Sequence, residues 1–309
     1  MQTESGITIV VPVHNRASIV DRTLQSILAQ DYRPLRVILV DNNSTDGTCD
    51  VLTRWKNKAE ASGLAVEVLS EPRPGAPAAR NRGLQATVTE FIMFFDSDDV
   101  MHPGHVSRAM RALASPPHPD IVGWDIRITG LDGKSFTKPF YASDTVWHCL
   151  MHGGMGTQRY AARTALFRRA GGWNNDIPGW NDIEIGMRML MLDPSIEKLY
   201  GPVTVDVMRQ EVSITGTDFS STPGKWETSL DAIEKTLGPS TRRRRRVNLR
   251  RALLAGDYAR EKNRTESDRL LRRALSSERC PFYRALFRLA RAYVSVGGRG
   301  GARLLRPFF

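Results

Sequence analysis

The stretch FIMFFDSDDV, residues 91–100, places Asp96, Asp98 and Asp99 directly behind five apolar side chains. Such a run reads as a buried strand, and like charges at its end resist ionisation unless a cation or hydrogen-bond donors hold them. Carboxylates at the mouth of a nucleotide-sized crevice are hard oxygen ligands suited to Mn2+ or Mg2+, ions that keep waters and bind substrate phosphates. Such an ion would offset the carboxylates and stabilise charge developing on a departing phosphate. A D-x-D alone has a second reading, as a cap or a solvated loop, and spacing does not choose between the two. His148 and His152 are four residues apart, one face of a helix. Without a flanking motif they read as structural or acceptor-side groups rather than ligands.

The elements that must position these groups alternate. ITIVVPV (7–13), LRVILV (35–40), LAVEVLS (64–70) and EFIMFF (90–95) are apolar runs of the kind buried on both faces in a parallel sheet. Between the first two, Val20, Leu24, Ile27 and Leu28 recur at helical spacing; Val51, Leu52, Trp55 and Ala59 mark a second helix. Pro77 fits the first turn of a third, AARNRGLQA. This order predicts an α/β fold with a mostly parallel sheet flanked by helices. Ligands of such sheets bind outside the carboxyl ends of the strands. Pro12 to Asn15, Asp41 to Asn43 and Asp96 to Asp98 would converge there. Further on, IVGWDIRIT (121–129) and VTVDVM (203–208) read as strands, and HGGMGTQ (152–158) as a flexible loop.

The chain of 309 residues allows one large domain, or one domain with an extension. Its net charge of +11 is uneven: residues 238–309 hold 20 Lys and Arg against 5 Asp and Glu, the remainder 24 against 28. Arguments from positive charge therefore apply only to the last quarter. Three cysteines without metal or disulfide spacing, and no apolar signal segment behind Met1, predict a cytoplasmic location.

Read together, the motifs are specific. The segment ITIVVPVHNRASIVDRTLQSILAQDYRPLRVILVDNNSTDGT resembles the opening of the family 2 glycosyltransferases. PGAPAARNRGL is similar to that family's G-x-x-x-A-R-N-x-G helix, and FFDSDD to its D-x-D. RTALFRRAGGWNNDIPGWNDIEIGMRM resembles its later segment, a G-G-[FW] turn before an E-D-x-[DE] helix. The resemblance implies a GT-A fold, a nucleotide-sugar donor, a divalent metal and transfer with inversion. It implies that Pro12, Val13, His14 and Asn15 line the nucleotide pocket and that Asp41 receives the base. Arg80 and Asn81 would line the donor site, or equally belong to a solvated helix face. Asp96 would face the ribose beside Ser97, and Asp98 would ligate the metal. Asp182 matches the catalytic base, with Glu184 as the alternative; the first acid of the pair is replaced by Asn181. A His expected near VMRQEVSIT is replaced by Arg209, Gln210 and Glu211. Gly153, Gly154 and Gly156 suit a mobile acceptor loop or an ordinary turn. Trp173 and Trp180 suit stacking on sugar rings or plain core packing.

These features divide the chain into a transferase domain, 1–222, and an Arg-rich helical extension, 223–309. The donor would be a UDP-sugar by family default, and the acceptor a hydroxyl of a glycan or lipid-linked chain, as in polysaccharide biosynthesis. TRRRRRVNLRR (241–251) reads first as a solvated helix face or flexible arm. Residues 241–295 would either pack on the domain or attach the protein peripherally to the inner, anionic face of a membrane. Nucleic acid is not expected, because no stacking aromatics interleave with the arginines. Three rivals remain: a transferase-like scaffold without activity, favoured by Asn181; a nucleotidyltransferase, which would need a Gly-rich phosphate loop that VPVHNRAS lacks; and a nucleic-acid binder, whose affinity would fall steeply with salt.

Overall fold

The apolar runs become strands and the periodic segments helices in the computed structural model, which describes residues 4–209 and 218–309. In chain order the first elements are β1 (Glu4–Val13), α1 (Val20–Leu28), β2 (Leu35–Asp41), α2 (Thr48–Ala61), β3 (Ala65–Ser70), α3 (Ala76–Ala86) and β4 (Thr89–Phe94). Next come β5 (Val100–Met101), α4 (His105–Ala114), β6 (Ile121–Trp124), β7 (Ile126–Thr129), β8 (Ser135–Lys138) and α5 (Thr145–His152). They are followed by β9 (Tyr160–Arg163), α6 (Thr164–Arg169), α7 (Asn181–Leu190), β10 (Ile196–Leu199) and β11 (Val205–Met208). The rest is helical: α8 (Pro223–Leu237), α9 (Thr241–Arg260), α10 (Arg264–Ser276), α11 (Pro281–Ser295) and α12 (Gly301–Leu305).

The elements form two compact units that interleave along the chain. The first comprises Met1–Thr145, Gly154–Asn175 and Leu192–Glu211; the second comprises Val146–Gly153, Asp176–Met191 and Val212–Phe309. In the first, seven strands lie in the order β10-β6-β9-β4-β1-β2-β3, all parallel to their neighbours except β9. Strand order reverses at β1: β2 and β3 lie on one side and β4 on the other, which opens a crevice at their carboxyl ends. Its core is the fully buried run Ile7, Ile9, Val11 and Val13 with Val37, Leu39, Phe91 and Met93, backed by Leu24 and Ile27 of α1 and Trp55 of α2. Helix α3 seats against β1 at Gly83, where a methyl group would collide with Val10.

One expected strand divides. IVGWDIRIT splits at Asp125 into β6 in the large sheet and β7 in a second, four-stranded sheet, β5-β11-β7-β8. Asp125 causes the break: its Oδ1 accepts from the Phe140 backbone N–H at 2.7 Å, and the carboxylate pairs with Lys198 at 2.8 Å. HGGMGTQ is packed rather than open, with Gly154, Met155 and Thr157 buried.

In the second unit the arginines of α9 are anchored. Arg246 and Arg251 are buried; Arg251 pairs with Asp231 and Glu234, and Arg245 with Glu278. The 241–251 run therefore lies on a packed helix, with Arg242 and Arg243 left exposed and Arg245, Arg246 and Arg251 held within the unit. Among the described residues no helix is long and apolar enough to cross a membrane.

Candidate active site

Side chains tie three loops together at the carboxyl edge of the first unit. Asn15 and Asn43 take left-handed backbone angles, which Asn tolerates. The Asn15 N–H donates to Ser44 Oγ at 3.0 Å, and its Oδ1 accepts from the Thr45 N–H at 2.8 Å. His14 Nδ1 lies 2.7 Å from the Asn42 carbonyl. Asn42, buried and outside the residues singled out for binding, holds the third loop: its amide donates to the Glu71 and Arg73 carbonyls at 2.8 and 2.7 Å and accepts from the Gly75 N–H at 2.7 Å. Asn42→Ala should cost about 2–3 kcal/mol in urea unfolding, since buried partners are left unsatisfied. Nucleotide affinity should fall about tenfold as the loop loosens, a loss of about 1.4 kcal/mol that titration calorimetry would read.

Asp41 ends β2 in this ring of loops. Its Oδ2 accepts from the Ser44 N–H at 3.3 Å, while Oδ1 is buried without a hydrogen-bond partner. The Cys49 thiol lies alongside, pushed up first by burial and then by the Asp41 carboxylate. A buried carboxylate oxygen in that state suits an N–H donor from a bound base.

The acidic knot is partly neutralised. Arg80 Nη2 meets Asp96 Oδ1 at 2.8 Å and its guanidinium lies over the Trp173 ring at 4.6 Å. Asn81 holds the adjacent turn, giving and taking hydrogen bonds with the Trp173 backbone at 2.8 and 2.7 Å. Trp173 is buried edge-on against Phe94, so its ring is core. Ser97 is buried between the acids. Arg22, which carried no role in the sequence reading, donates to the Asp98 carbonyl at 2.9 Å. Burial, then Asp96, raises Asp98 above the usual carboxylate range, and Arg16 and Arg22 oppose this. Asp99 is raised well above that range by burial and by both neighbouring carboxylates; its Oδ1 accepts from the Met208 N–H at 3.2 Å and its Oδ2 has no hydrogen-bond partner.

Burial and mutual repulsion thus outweigh the arginines at Asp98 and Asp99. Among the described residues no group of three or more His, Cys, Asp or Glu side chains could hold a metal ion. Asp98 at the crevice fits an ion that takes one or two carboxylates and completes its shell with water and phosphate oxygens. Asp99, raised in the folded state, binds its proton more tightly there than in the unfolded chain. Its contribution to stability is therefore full below the unfolded value and lost as pH rises through the folded one. The metal-free protein should lose thermal stability on that rise. Asp99→Asn should flatten the profile and raise Tm by a few degrees at alkaline pH, measured by calorimetry in chelator.

The candidate base lies in the second unit. Asp182 sits in the first turn of α7, where negative charge is favoured, and its Oδ1 accepts from the Ile183 N–H at 2.9 Å. Glu184 is 3% exposed, with both oxygens taken by Arg188 at 2.7 Å, an arrangement suited to structure rather than proton abstraction. The turn ahead of α7 is held from α8: the Ser229 hydroxyl donates to the Gly179 carbonyl, and a methyl group at Gly179 would come 2.9 Å from Trp226. Trp180 packs 4.9 Å from Trp226, with Arg250 over its ring at 4.2 Å. His148 and His152 share one face of α5, their rings 5.6 Å apart. Arg209 is exposed; Gln210 and Glu211 lie outside the described residues.

The fold is shared with known proteins. S. aureus TarS 1-349, solved in complex with UDP-GlcNAc, superposes with a TM-score of 0.69 at 17% identity, over 98% of this chain and 92% of that one. Mannosyltransferase PcManGT from Pyrobaculum calidifontis, solved with GDP-Man and Mn2+, gives 0.55 at 19% identity, over 98% and 87%. The chain is also 28% identical over 131 residues to an uncharacterized glycosyltransferase of Nostoc sp., 42% of this chain and 39% of that protein. It is 36% identical over 98 residues to the poly(ribitol-phosphate) beta-glucosyltransferase of Bacillus spizizenii, 30% of this chain and 15% of that protein. The matches thus span well under two thirds of these two relatives. The fold is GT-A, with added C-terminal helices. Residues 8–168 match the family described as Glycosyl transferase family 2, and the chain belongs to that family of sugar-transferring enzymes.

Proposed function

We propose that the protein moves a sugar from a nucleotide diphosphate donor, a UDP-sugar by first choice, to a hydroxyl of a glycan or lipid-linked acceptor, with inversion. The observation that carries this reading is the run of three carboxylates, Asp96, Asp98 and Asp99, directly behind β4, at the same strand-end edge as the Asp41 oxygen without a hydrogen-bond partner. Neighbours solved with UDP-GlcNAc and with GDP-Man and Mn2+ support the donor class and the metal. In this scheme residues 1–222 are the transferase part and 223–309 the extension, although α7 shares its compact unit with the extension.

Asp98 would hold a divalent ion, Mn2+ or Mg2+, which when bound would offer positive charge to a departing diphosphate. Asp41 accepts from the base, and the Pro12–Asn15 loop shapes the pocket through its backbone. Asp96, fixed by Arg80, faces the ribose. The acceptor oxygen attacks the anomeric carbon as the bond from that carbon to the diphosphate breaks. Its proton passes to Asp182, so one displacement inverts the centre.

Asn181, in place of the family's first acid, favours a second reading, a binding protein of the same fold without turnover. Release of UDP from a panel of UDP-sugars, with GDP-mannose as comparator and Mn2+ present, separates the two. Metal-dependent release from one donor supports the transferase. Binding of a donor without release of nucleotide to any glycan or lipid-linked acceptor supports the scaffold.

A further inference from the structure

Helix α11 carries two apolar stripes. The inner one, Leu286, Phe287, Ala290 and Val294, is buried, and Val294 sits where a methyl group on Gly256 of α9 would fall. The outer one repeats every seven residues: Phe282 and Leu289 on the helix and Val296 just past its end, with Ala285 and Ala292 between them, all exposed. Leu289 is 57% and Val296 85% exposed.

The chain then folds back along this helix. The Tyr293 hydroxyl donates to the Arg299 carbonyl at 2.9 Å, and the Tyr283 hydroxyl donates to the Phe308 carbonyl at 3.1 Å. Phe282 and Phe308 meet edge-on with ring centres 5.7 Å apart. The returning segment adds Leu304 and Phe308 to the same region, both exposed. Five of the nine large apolar side chains exposed among the described residues therefore fall within 282–308. A concentration of this kind marks an interaction surface rather than ordinary scatter.

Charge selects the partner. Residues 281–309 hold six arginines and no Asp or Glu. Arg291 is spent on Asp268, and Arg284 on the Leu275 and Glu278 carbonyls. Arg288, Arg299 and Arg303 are exposed on the same 281–309 segment as the apolar stripe. A second copy would set arginine against arginine with no carboxylate on the same segment to relieve it. A phosphate-bearing lipid surface meets both requirements: apolar side chains enter the acyl boundary while guanidinium groups stay at headgroup level.

We infer that this face, Phe282, Leu289 and Val296 with Leu304 and Phe308, docks the protein on an anionic membrane. Within the 241–295 stretch expected to pack or to touch a membrane, the surface lies on α11, continued by the segment after it, and not on the pentarginine run, whose helix is packed inside its unit. The docking is independent of which donor or acceptor the enzyme uses.

The test is sedimentation of the full chain with vesicles of phosphatidylcholine, alone or mixed equally with phosphatidylglycerol. The protein should pellet with the mixed vesicles and stay in solution with the neutral ones. Each arginine at such a surface is worth roughly fivefold in partitioning, so Arg288→Glu with Arg303→Glu should lower binding by at least about twentyfold. Leu289→Asp should lower it about tenfold without moving Tm, because the side chain is exposed. A charge-matched control, Arg54→Glu with Arg264→Glu, should keep most of the binding. Equal loss in the control, retained binding in Leu289→Asp, or no preference for the anionic vesicles would overturn the inference. So would a dimer in sedimentation velocity that Leu289→Asp splits, since the occupant would then be a second copy.

Discussion

Asp182→Asn is expected to lower kcat by about 10³-fold and leave UDP affinity within about twofold of wild type, because a positioned general base contributes 10²–10⁴. The substitution keeps the Oδ1 that accepts from the Ile183 N–H, so the start of α7 should be preserved. What is lost is the ability to take a proton from the acceptor hydroxyl as it attacks. Glu184→Gln makes the contrast. Its carboxylate is buried against Arg188, and removing one partner of a buried pair costs about 3–5 kcal/mol. That variant should therefore fail in stability, read by urea unfolding, with kcat per folded molecule little changed. If instead Asp182→Asn turns over normally while folded Glu184→Gln does not, the base has been assigned to the wrong carboxylate.

The parts of the fold that burial dictates were legible in the residues. β1, β2 and β4 are nearly uninterrupted apolar runs, and each ends where the polar residues begin, so strand, loop and ligand edge could be read together. The family motifs added roles that no spacing supplies, such as a base contact for Asp41. What could not be read are choices made by single polar side chains across long sequence distances. Asp125 breaks a strand because Phe140 and Lys198 happen to reach it. Asn42 holds the loop at residues 71–75, and Arg22 reaches Asp98 from α1. Asn42 did carry a signal: an Asn directly after a buried strand often bonds to backbone. The anchoring of Arg245 and Arg251 on α9 was illegible for the same reason, since their partners Asp231, Glu234 and Glu278 lie on other elements.

Asp98→Ala is expected to abolish the metal-dependent part of UDP binding, a loss of at least about 10²-fold, or about 2.7 kcal/mol. The acidic knot that ends β4 has cations for some of its charge, namely Arg80 for Asp96 and the fields of Arg16 and Arg22 at Asp98. Burial and Asp96 still leave Asp98 raised, so a proton competes with a metal ion for it at a higher pH than for an ordinary carboxylate. Mn2+-assisted binding in the wild type should accordingly weaken while pH is still above the usual carboxylate range. Removing the neighbouring charge by Asp96→Asn should lower the Asp98 value and move that loss to lower pH. Calorimetric titration of UDP with and without Mn2+ reads all three proteins. A wild type that binds UDP equally well in chelator, or an Asp98→Ala variant that keeps its metal dependence, would remove Asp98 from the metal site. Repulsion among the carboxylates would then have to be relieved by protons on Asp98 and Asp99 alone, and the Asp99→Asn stability profile would show it.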